Sequence, residues 1–181
     1  PVFAAWLLRI PVVAHESDLT PGLANRLSLP FIHTLCTSFA DTRFAGFAGR
    51  RVVTGTPVRR GLLTGDVAAG RQALGLEDNS AHKILLVTGG SLGAENLNRI
   101  IRANLEALTE RFFVAHVCGV GKTVAIQQQD YLQLEFVDDG WGDLLAVADI
   151  VISRAGANAL FEWVALAKLK LLVPLPLSGS R

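Results

Sequence analysis

Two glycine-rich turns, each placed between a short apolar strand and a helix, are the residues of this sequence best suited to chemistry. The first is Thr88-Gly89-Gly90-Ser91-Leu92-Gly93-Ala94, and the second follows Ser153-Arg154 at Gly156. Glycine lets the backbone approach a phosphate closely, and the N-terminus of the next helix offers unpaired N–H groups with a partial positive charge. The first turn therefore predicts a phosphate-binding loop with Ser91 as an added donor, and a structural tight turn is the alternative.

The spacing of the glycines separates this loop from the dinucleotide type. The pattern is G-G-x-x-G rather than G-x-G-x-x-G, and no clear acidic residue ends the next strand to bind a ribose, so an NAD oxidoreductase is disfavoured. The second turn would hold the other end of one nucleotide from a neighbouring strand end. Glu162 lies about a turn and a half into the helix that follows, where its carboxylate could bind a ribose or be a solvated helix charge.

A second polar cluster, His15-Glu16-Ser17-Asp18, follows the first predicted strand. It gathers an imidazole and two carboxylates before a helix that starts with proline, so it could serve catalysis or only cap that helix. Arg59 lies in a crossing segment, where its forked guanidinium suits a diphosphate; a solvated or carboxylate-paired arginine is the alternative. Asp138-Asp139 is predicted to be a helix-start pair. Because no D-x-D triplet occurs, the sequence predicts no metal and no cofactor.

These residues need a scaffold of short apolar strands that alternate with amphipathic helices. From Lys83 onward the pattern predicts strands at 84–88, 112–118, 134–137, 149–153 and 169–173, with helices at 96–108, 143–147 and 157–167. The first sixty residues repeat this style, with strands at 12–15, 34–37 and 52–54 and a helix from Pro21. The alternation predicts an α/β fold with parallel sheets, divided into domains 1–58 and 59–181.

Composition excludes several classes of protein. The 181 residues carry 17 Lys and Arg against 16 Asp and Glu, so no nucleic acid partner is predicted. Half of the residues are apolar and only 18% are charged, which excludes disorder and predicts strands buried on both faces. The longest apolar stretch, Pro1 to Ala14, is too short to span a bilayer. Cys36 and Cys118 lack metal-ligand spacing and are predicted to be buried free thiols in a reducing compartment.

The two ends of the sequence look like cuts in a longer chain. There is no methionine, Pro1 lies inside an apolar run, and the last predicted strand is followed by a proline-rich stretch that stops at Arg181 without a closing helix. We therefore expect an internal fragment that is truncated at both ends, with part of the functional site outside it.

Five motifs in register resemble one known family. They are HESDLTPGLAN at 15–25, GTPVR at 55–59, GGSLGA at 89–94, EFVDD at 135–139 and SRAGANALFE at 153–162. Their order and spacing resemble the MurG family, the undecaprenyl-diphospho-muramoylpentapeptide β-N-acetylglucosaminyltransferases of bacterial peptidoglycan synthesis. Proteobacterial members commonly carry HEQN at the first motif, and the HESD form resembles members from Gram-positive bacteria. The resemblance covers essentially the whole sequence.

The resemblance implies a GT-B glycosyltransferase with two Rossmann-like domains. The carboxyl-side domain would bind UDP-N-acetylglucosamine, and the amino-side domain would bind lipid I, the undecaprenyl-diphosphate-linked MurNAc-pentapeptide. The implied reaction is an inverting transfer of N-acetylglucosamine to the C4 hydroxyl of the muramoyl sugar, which gives lipid II and UDP without a metal. The enzyme would be peripheral on the cytoplasmic face of the plasma membrane, with Trp6 near the membrane or, alternatively, buried in the core.

The resemblance also implies roles for single residues. Arg59 and the loop residues Gly90, Ser91 and Gly93 would contact the diphosphate of UDP. Val137 would lie against the uracil, and Glu162 would bind the ribose. The helix after the second turn would line the donor pocket with Ala157, Asn158, Ala159, Leu160 and Phe161.

On the acceptor side, the resemblance points to the first motif. His15 and Asp18 would face the acceptor, and Glu16 is the catalytic candidate within this sequence. The general base itself is expected to be a histidine in a glycine-rich loop that precedes Pro1. Two other functions stay open: another UDP-sugar enzyme of the same architecture, such as a UDP-N-acetylglucosamine 2-epimerase, and a non-catalytic nucleotide-binding module.

Overall fold

The computed structural model describes residues 1–77, 82–90 and 94–175. The chain divides into two compact units, Pro1–Pro57 and Val58–Arg181. Each unit is built around one parallel β-sheet. The predicted α/β class with parallel sheets is therefore confirmed.

The first unit holds a small three-stranded sheet in the order β1-β2-β3. Its elements are α1 (Val2–Leu7), β1 (Val13–Glu16), α2 (Leu23–Ser28), a 3₁₀ helix (Leu29–Phe31), β2 (Thr34–Thr37) and β3 (Arg50–Val53). Leu35 on the central strand is fully buried. The helix expected from Pro21 begins two residues later, because Gly22 keeps an extended backbone at the N-cap. The strand expected at 52–54 lies at Arg50–Val53, in register with β2.

The second unit holds five parallel strands in the order β6-β5-β4-β7-β8. Its elements are a 3₁₀ helix (Arg60–Thr64), α3 (Val67–Ala73), β4 (Lys83–Thr88), α4 (Glu95–Ala103), α5 (Leu105–Thr109), β5 (Phe112–Val117), β6 (Tyr131–Leu134), α6 (Trp141–Val147), β7 (Ile150–Arg154), α7 (Ala157–Ala165) and β8 (Leu169–Val173). The chain starts at the central β4, runs outward through β5 and β6, and returns to the other side of β4 for β7 and β8. This reversal creates a topological switch point between β4 and β7.

The central strand β4 is buried on both faces, as its composition predicts. Ile84 and Leu86 pack into one hydrophobic cluster with residues of α6, whereas Leu85 and Val87 pack into a second cluster with Leu97 of α4. Successive side chains of a strand point to opposite faces, so the apolar run of β4 fills two cores at once. The helices on both faces hold the strand ends, and the loops that follow them, in fixed positions.

The backbones of α3 and α6 touch directly. A Cβ atom at Gly70 would clash with the carbonyl of Asp143, so only glycine fits there. Asp66 caps α3 by accepting hydrogen bonds from the N–H groups of Ala68 and Ala69 at 2.7 and 3.2 Å. The Asp66 N–H in turn donates to Asp143 Oδ1 at 2.7 Å. These contacts fix the start of α6, where Trp141 lies.

The predicted bounds of most elements of this unit are within two residues of the observed ones, and two predictions were wrong by more than that. The helix expected at 96–108 is interrupted at Asn104, whose backbone is not helical and whose side-chain amide donates to the Ile100 carbonyl at 2.8 Å. The strand expected at 134–137 lies instead at Tyr131–Leu134, because pairing with β5 places Tyr131 opposite Val114 and Leu134 opposite Val117. The EFVDD motif therefore follows the strand as a loop.

Both cysteines are free; Cys118 is buried as predicted, whereas Cys36 is only partly buried. Within the described residues, no helix is long and apolar enough to cross a membrane.

Candidate functional site

A cavity of about 500 Å³ lies at the carboxyl ends of the central strands of the second unit. Thr88 ends β4, Val117 ends β5 and Ser153 lies near the end of β7, and all three line the cavity. This is the switch point of the sheet, where open α/β sheets place their ligands. The volume suits a nucleotide-sized ligand.

The first glycine turn forms one wall of the cavity. Gly89 and Gly90 line it, and Gly90 has a φ of +85°, a left-handed conformation that favours glycine. The Gly90 N–H donates to the Thr88 hydroxyl at 3.3 Å, which ties the turn to the end of β4. The predicted contacts Ser91 and Gly93 lie outside the described residues.

The helix α7 presents one face to the cavity. Asn158, Ala159 and Glu162 line it, together with Gly156 at the helix start. Ala157, Leu160 and Phe161, which the resemblance also assigns to the donor pocket, do not line it in the described structure. The reason is the helical period: Glu162 lies four positions after Asn158 and three after Ala159, so these residues share a face, whereas Leu160 and Phe161 turn away from it.

Opposite charges meet across this cavity. Arg59 and Glu162 both line it, and Glu162 is only partly exposed. Burial raises the pKa of the Glu162 carboxyl above its ordinary 4.5, and the positive charge of Arg59 offsets part of that rise. A carboxylate that is held in a cleft despite the cost of desolvation is typical of a functional site.

The EFVDD motif supplies another wall. Glu135, Phe136, Val137 and Asp138 all line the cavity. Val137 is partly buried against the hydrophobic cluster that contains Ile84 and Leu86, and the rest of its side chain is open to a ligand. Glu135 Oε1 accepts a hydrogen bond from the Gly121 N–H at 3.1 Å and so joins this loop to the loop after β5.

Sequence reasoning missed two tryptophans and an arginine of the cavity. Trp141 and Trp163 line it and meet edge to face, with ring centroids 6.3 Å apart. Trp163 is buried and donates from Nε1 to the Ser153 hydroxyl at 2.9 Å. Arg154 also lines the cavity and donates to the Pro174 carbonyl at 3.1 Å. The spacing of four residues between Ala159 and Trp163 is the signal that could have placed this tryptophan on the same helix face.

The HESD cluster of the first unit is organised around Glu16, which is only 5% exposed. Its Oε1 accepts from the Asp18 N–H at 3.1 Å, and its Oε2 accepts from the Gly22 N–H and from Asn25 Nδ2, each at 2.9 Å. Burial by itself would raise the pKa of this carboxyl, but the hydrogen bonds from Asn25, Gly22 and Asp18 outweigh it and lower the pKa. An ionised carboxylate with three donors suits loop anchoring better than general-base catalysis.

The neighbours of Glu16 are also tied within the unit. His15 Nε2 lies 3.0 Å from the Gly55 carbonyl, an acceptor, so Nε2 carries the proton and donates. The backbone carbonyl of Asp18 accepts from the Thr42 hydroxyl at 3.1 Å. In the parts of the chain that the structure describes, no group of three or more His, Cys, Asp or Glu side chains is placed to hold a metal ion.

Comparison with known proteins defines the class to which this fold and cavity belong. Residues 84–180 match the family model described as the glycosyltransferase family 28 C-terminal domain. The chain belongs to this family of glycosyltransferases.

Curated relatives of the chain share one transferase name. The chain is 47% identical to a protein of Legionella pneumophila (strain Lens) and 44% identical to one of Clostridium tetani. Each is named UDP-N-acetylglucosamine--N-acetylmuramyl-(pentapeptide) pyrophosphoryl-undecaprenol N-acetylglucosamine transferase, and each alignment covers 99% of this chain and 50% of the relative. The chain thus spans about half the length of the curated relatives it matches.

A solved structure agrees with these relatives. The crystal structure of Acinetobacter baumannii MurG matches with a TM-score of 0.67 and 26% sequence identity, over 98% of this chain and 50% of that one. The resemblance to the MurG family and the GT-B fold class, both predicted from the five motifs, are therefore confirmed.

Proposed function

We propose that the protein transfers N-acetylglucosamine from UDP-N-acetylglucosamine to the C4 hydroxyl of the muramoyl sugar of lipid I, with inversion, to give lipid II and UDP. The observation that carries this proposal is the cavity at the switch point of the second sheet. It gathers Arg59, Gly90, Val137 and Glu162 from four separate segments. The relatives support the choice of substrates, because their names specify this donor sugar and an undecaprenol-linked muramyl acceptor.

The unit Val58–Arg181 is the donor-binding domain in this proposal. Departure of UDP develops negative charge on the diphosphate, and the N-terminus of α4 together with Arg59 can stabilise that charge without a metal ion. Val137 lies against the uracil, and Glu162 accepts hydrogen bonds from the ribose. Asn158 and Ala159 form the wall beside the sugar nucleotide, and Ser91 and Gly93 keep their predicted role at the diphosphate.

The unit Pro1–Pro57 is the acceptor-binding and membrane-facing domain, with His15 and Asp18 turned to the acceptor. Glu16 shapes the loop that carries them, because its carboxylate binds the Asp18 and Gly22 N–H groups and the Asn25 amide. We infer that Glu16 anchors this loop, whereas the resemblance to the family made it the catalytic candidate within this sequence.

Two measurements test the proposal. Calorimetric titration with UDP-N-acetylglucosamine, UDP and NADH should show saturable binding of the two uridine ligands and none of NADH. With the full-length protein, release of UDP should depend on added lipid I. Formation of the C2-epimeric UDP-sugar without any acceptor would indicate a sugar epimerase instead, and binding without turnover at any acceptor supply would indicate a regulatory module.

The substitution Glu162→Gln tests the ribose contact. We expect it to weaken UDP binding by roughly tenfold, the order expected when a hydrogen bond to a charged group is lost. It should also raise the free energy of unfolding at pH 7. The pKa of Glu162 is raised in the folded state, so the ionised carboxylate present at pH 7 destabilises the fold, and the neutral amide of glutamine removes that cost. Such a group stabilises the fold at low pH and loses that contribution as the pH rises through the raised pKa.

The matched control for this substitution is Glu106→Gln, since Glu106 is exposed on α5 of the same unit. Calorimetry and urea unfolding of both variants give the two quantities. An unchanged UDP affinity in Glu162→Gln would remove this residue from the donor site.

The membrane-facing role rests on the aromatic cluster of the first helix. Trp6 is 45% exposed and packs against Phe3 and Phe31, with ring centroids 5.8 and 5.3 Å away, which supports a surface role for this ring. Trp and Phe are suited to the membrane–water interface. We expect Trp6→Ser in the full-length protein to reduce co-sedimentation with phospholipid vesicles. Val164→Ser, which changes an exposed apolar residue of α7, is the control, and equal binding of both variants would remove Trp6 from the membrane face.

A further inference from the structure

A chain of buried polar side chains links helix α4 to strands β5 and β6. His116 Nε2 lies 3.0 Å from Asn98 Oδ1, and His116 Nδ1 lies 2.9 Å from the Tyr131 hydroxyl. Asn98 Nδ2 donates to the Cys118 carbonyl at 2.9 Å. His116 and Asn98 are 0% and 1% exposed. We call Asn98, His116 and Tyr131 the α4–β5 network.

The hydrogen bonds of this network allow only one arrangement of protons. The Cys118 carbonyl is an acceptor, so the Asn98 amide nitrogen faces it and the Asn98 amide oxygen faces His116. His116 Nε2 therefore carries the proton and donates to Asn98, and Nδ1 accepts from the Tyr131 hydroxyl. Burial, together with the positive charge of Arg102, lowers the pKa of His116 to about 4, which agrees with a neutral ring at physiological pH.

The network connects the start of α4 to the end of β5, which borders the cavity. Asn98 is the fourth residue of α4, in the first turn after the glycine loop, and its backbone N–H makes the helical bond to the Ala94 carbonyl at 2.8 Å. Cys118 directly follows Val117, which lines the cavity at the end of β5. The bond from Asn98 to Cys118 therefore sets the position of the N-terminus of α4 relative to the strand end beside it.

A second set of hydrogen bonds, made by Arg102, lies one turn further along the same face of α4. Arg102 Nη2 donates to Gln133 Oε1 at 3.0 Å and also to the Lys122 carbonyl. This tie reaches the loop after β5 and holds the body of the helix. Of these hydrogen bonds, the one made by Asn98 lies nearer the start of α4, so it has the greater effect on the direction of the first N–H groups of the helix.

We propose that Asn98 and His116 are positioning residues for the donor site, which hold the N-terminus of α4 at the place where the diphosphate of a nucleoside diphosphate binds. His116 acts through Asn98: its Nε2–H fixes the amide orientation that lets Asn98 bind the end of β5. Neither side chain lines the cavity. The inference rests on the proposed function, because it needs a diphosphate at this helix terminus, and it adds a buried group that no motif of the site contains.

The experiment compares His116→Leu, which removes the donor to Asn98, with His116→Gln, whose amide nitrogen can take the place of Nε2. We expect UDP to bind about tenfold more weakly to His116→Leu and to bind His116→Gln within about twofold of the unchanged protein, because a supporting hydrogen bond is lost in one and kept in the other. Asn104→Ala is the control, since Asn104 also bonds α4 through its side chain but at the far end of the helix.

Two readouts separate positioning from simple stability. Nitrogen NMR of the unchanged protein should show the His116 ring protonated at Nε2, and amide hydrogen exchange at Asn98 should be faster in His116→Leu than in His116→Gln. A folded His116→Leu that binds UDP as tightly as the unchanged protein would overturn the proposal. If His116→Leu does not fold, Asn98→Ser removes the bond to the Cys118 carbonyl from the helix side and takes its place in the test. If neither variant folds, the network serves folding, and the proposed positioning role is overturned.

The outcomes also distinguish this inference from the proposed function. If the unchanged protein binds no uridine ligand, the proposed donor site is wrong and the network has no ligand to position. If the unchanged protein binds UDP and both breaking variants bind it equally well, the donor site stands and only the positioning role is wrong.

Discussion

Replacing Trp163 by alanine is expected to lower the free energy of unfolding by about 4 kcal/mol, the usual loss when a buried aromatic side chain is removed from a core. Trp163 is 1% exposed, belongs to the main hydrophobic cluster and donates to the Ser153 hydroxyl at 2.9 Å. Its removal leaves a cavity and takes away the donor to the Ser153 hydroxyl, which keeps only its own bond to the Arg154 carbonyl at 3.0 Å. Because the total stability of a domain is about 5–15 kcal/mol, the loss is a large share of it.

The same substitution should weaken binding of UDP, since Trp163 forms part of the cavity wall.

Two further variants show which contacts of Trp163 account for the loss in the free energy of unfolding. Trp141→Ala should cost clearly less, because Trp141 is only partly buried although it contacts Trp163 edge to face. The loss in free energy of unfolding for Trp163→Phe should lie between the losses for Trp163→Ala and Trp141→Ala, since phenylalanine keeps a ring in the core but removes the Nε1–H donor. Urea unfolding of the three variants measures this order, and equal losses for Trp163→Ala and Trp141→Ala would contradict it.

Acid should destabilise the protein through His116. The pKa of this ring in the folded state is lowered to about 4 from 6.5, first by burial and then by the charge of Arg102. Below pH 6.5 the unfolded chain therefore binds a proton at this ring while the folded chain keeps the ring neutral. The contribution of His116 to the free energy of unfolding is complete above pH 6.5 and is lost as the pH falls towards 4. A difference of this size corresponds to about 3 kcal/mol of stability across the window.

The measurement is the free energy of unfolding at several pH values for the unchanged protein and for His116→Gln, whose side chain does not titrate. The unchanged protein should lose stability more steeply between pH 6.5 and 4. His82→Gln is the matched control, because His82 is an exposed histidine of the same unit. Parallel curves for the unchanged protein and His116→Gln would show that the buried ring does not carry this linkage.

Local sequence signals predicted the parts of the site that depend on neighbouring residues. The turn at Gly90 needs a left-handed backbone, and the glycine at that position indicates one. The alternation of apolar strands and helices likewise predicted a parallel sheet, and the central strand β4 is buried on both faces as its composition requires. The motifs then indicated the family, because their order along the chain is a property of the sequence alone.

Other features could not be predicted from local pattern. The segment Leu134 to Val137 reads as a strand, but the pairing with β5 ends the strand at Leu134, and EFVDD becomes a loop that lines the cavity. The helix expected to continue through Asn104 stops there, because that side chain bonds the helix backbone. For the strand, the hydrogen bonds to β5 outweigh the strand propensity of residues 135–137. For the helix, the bond from the Asn104 side chain to the preceding turn outweighs the helix propensity of the segment.

The amino-acid sequence by itself determined the fold class, the two glycine turns at neighbouring strand ends, and the acidic and basic residues that can meet a nucleotide. Only the tertiary structure decided which face of α7 meets the cavity, that Trp163 closes it, and that Glu16 is used to anchor a loop. It also brought together Asn98, His116 and Tyr131, which lie 18 and 15 residues apart along the chain. The physical reason is that turns and periodicities arise from adjacent residues, whereas burial, register and buried hydrogen bonds are set by residues that meet only when the sheet has formed.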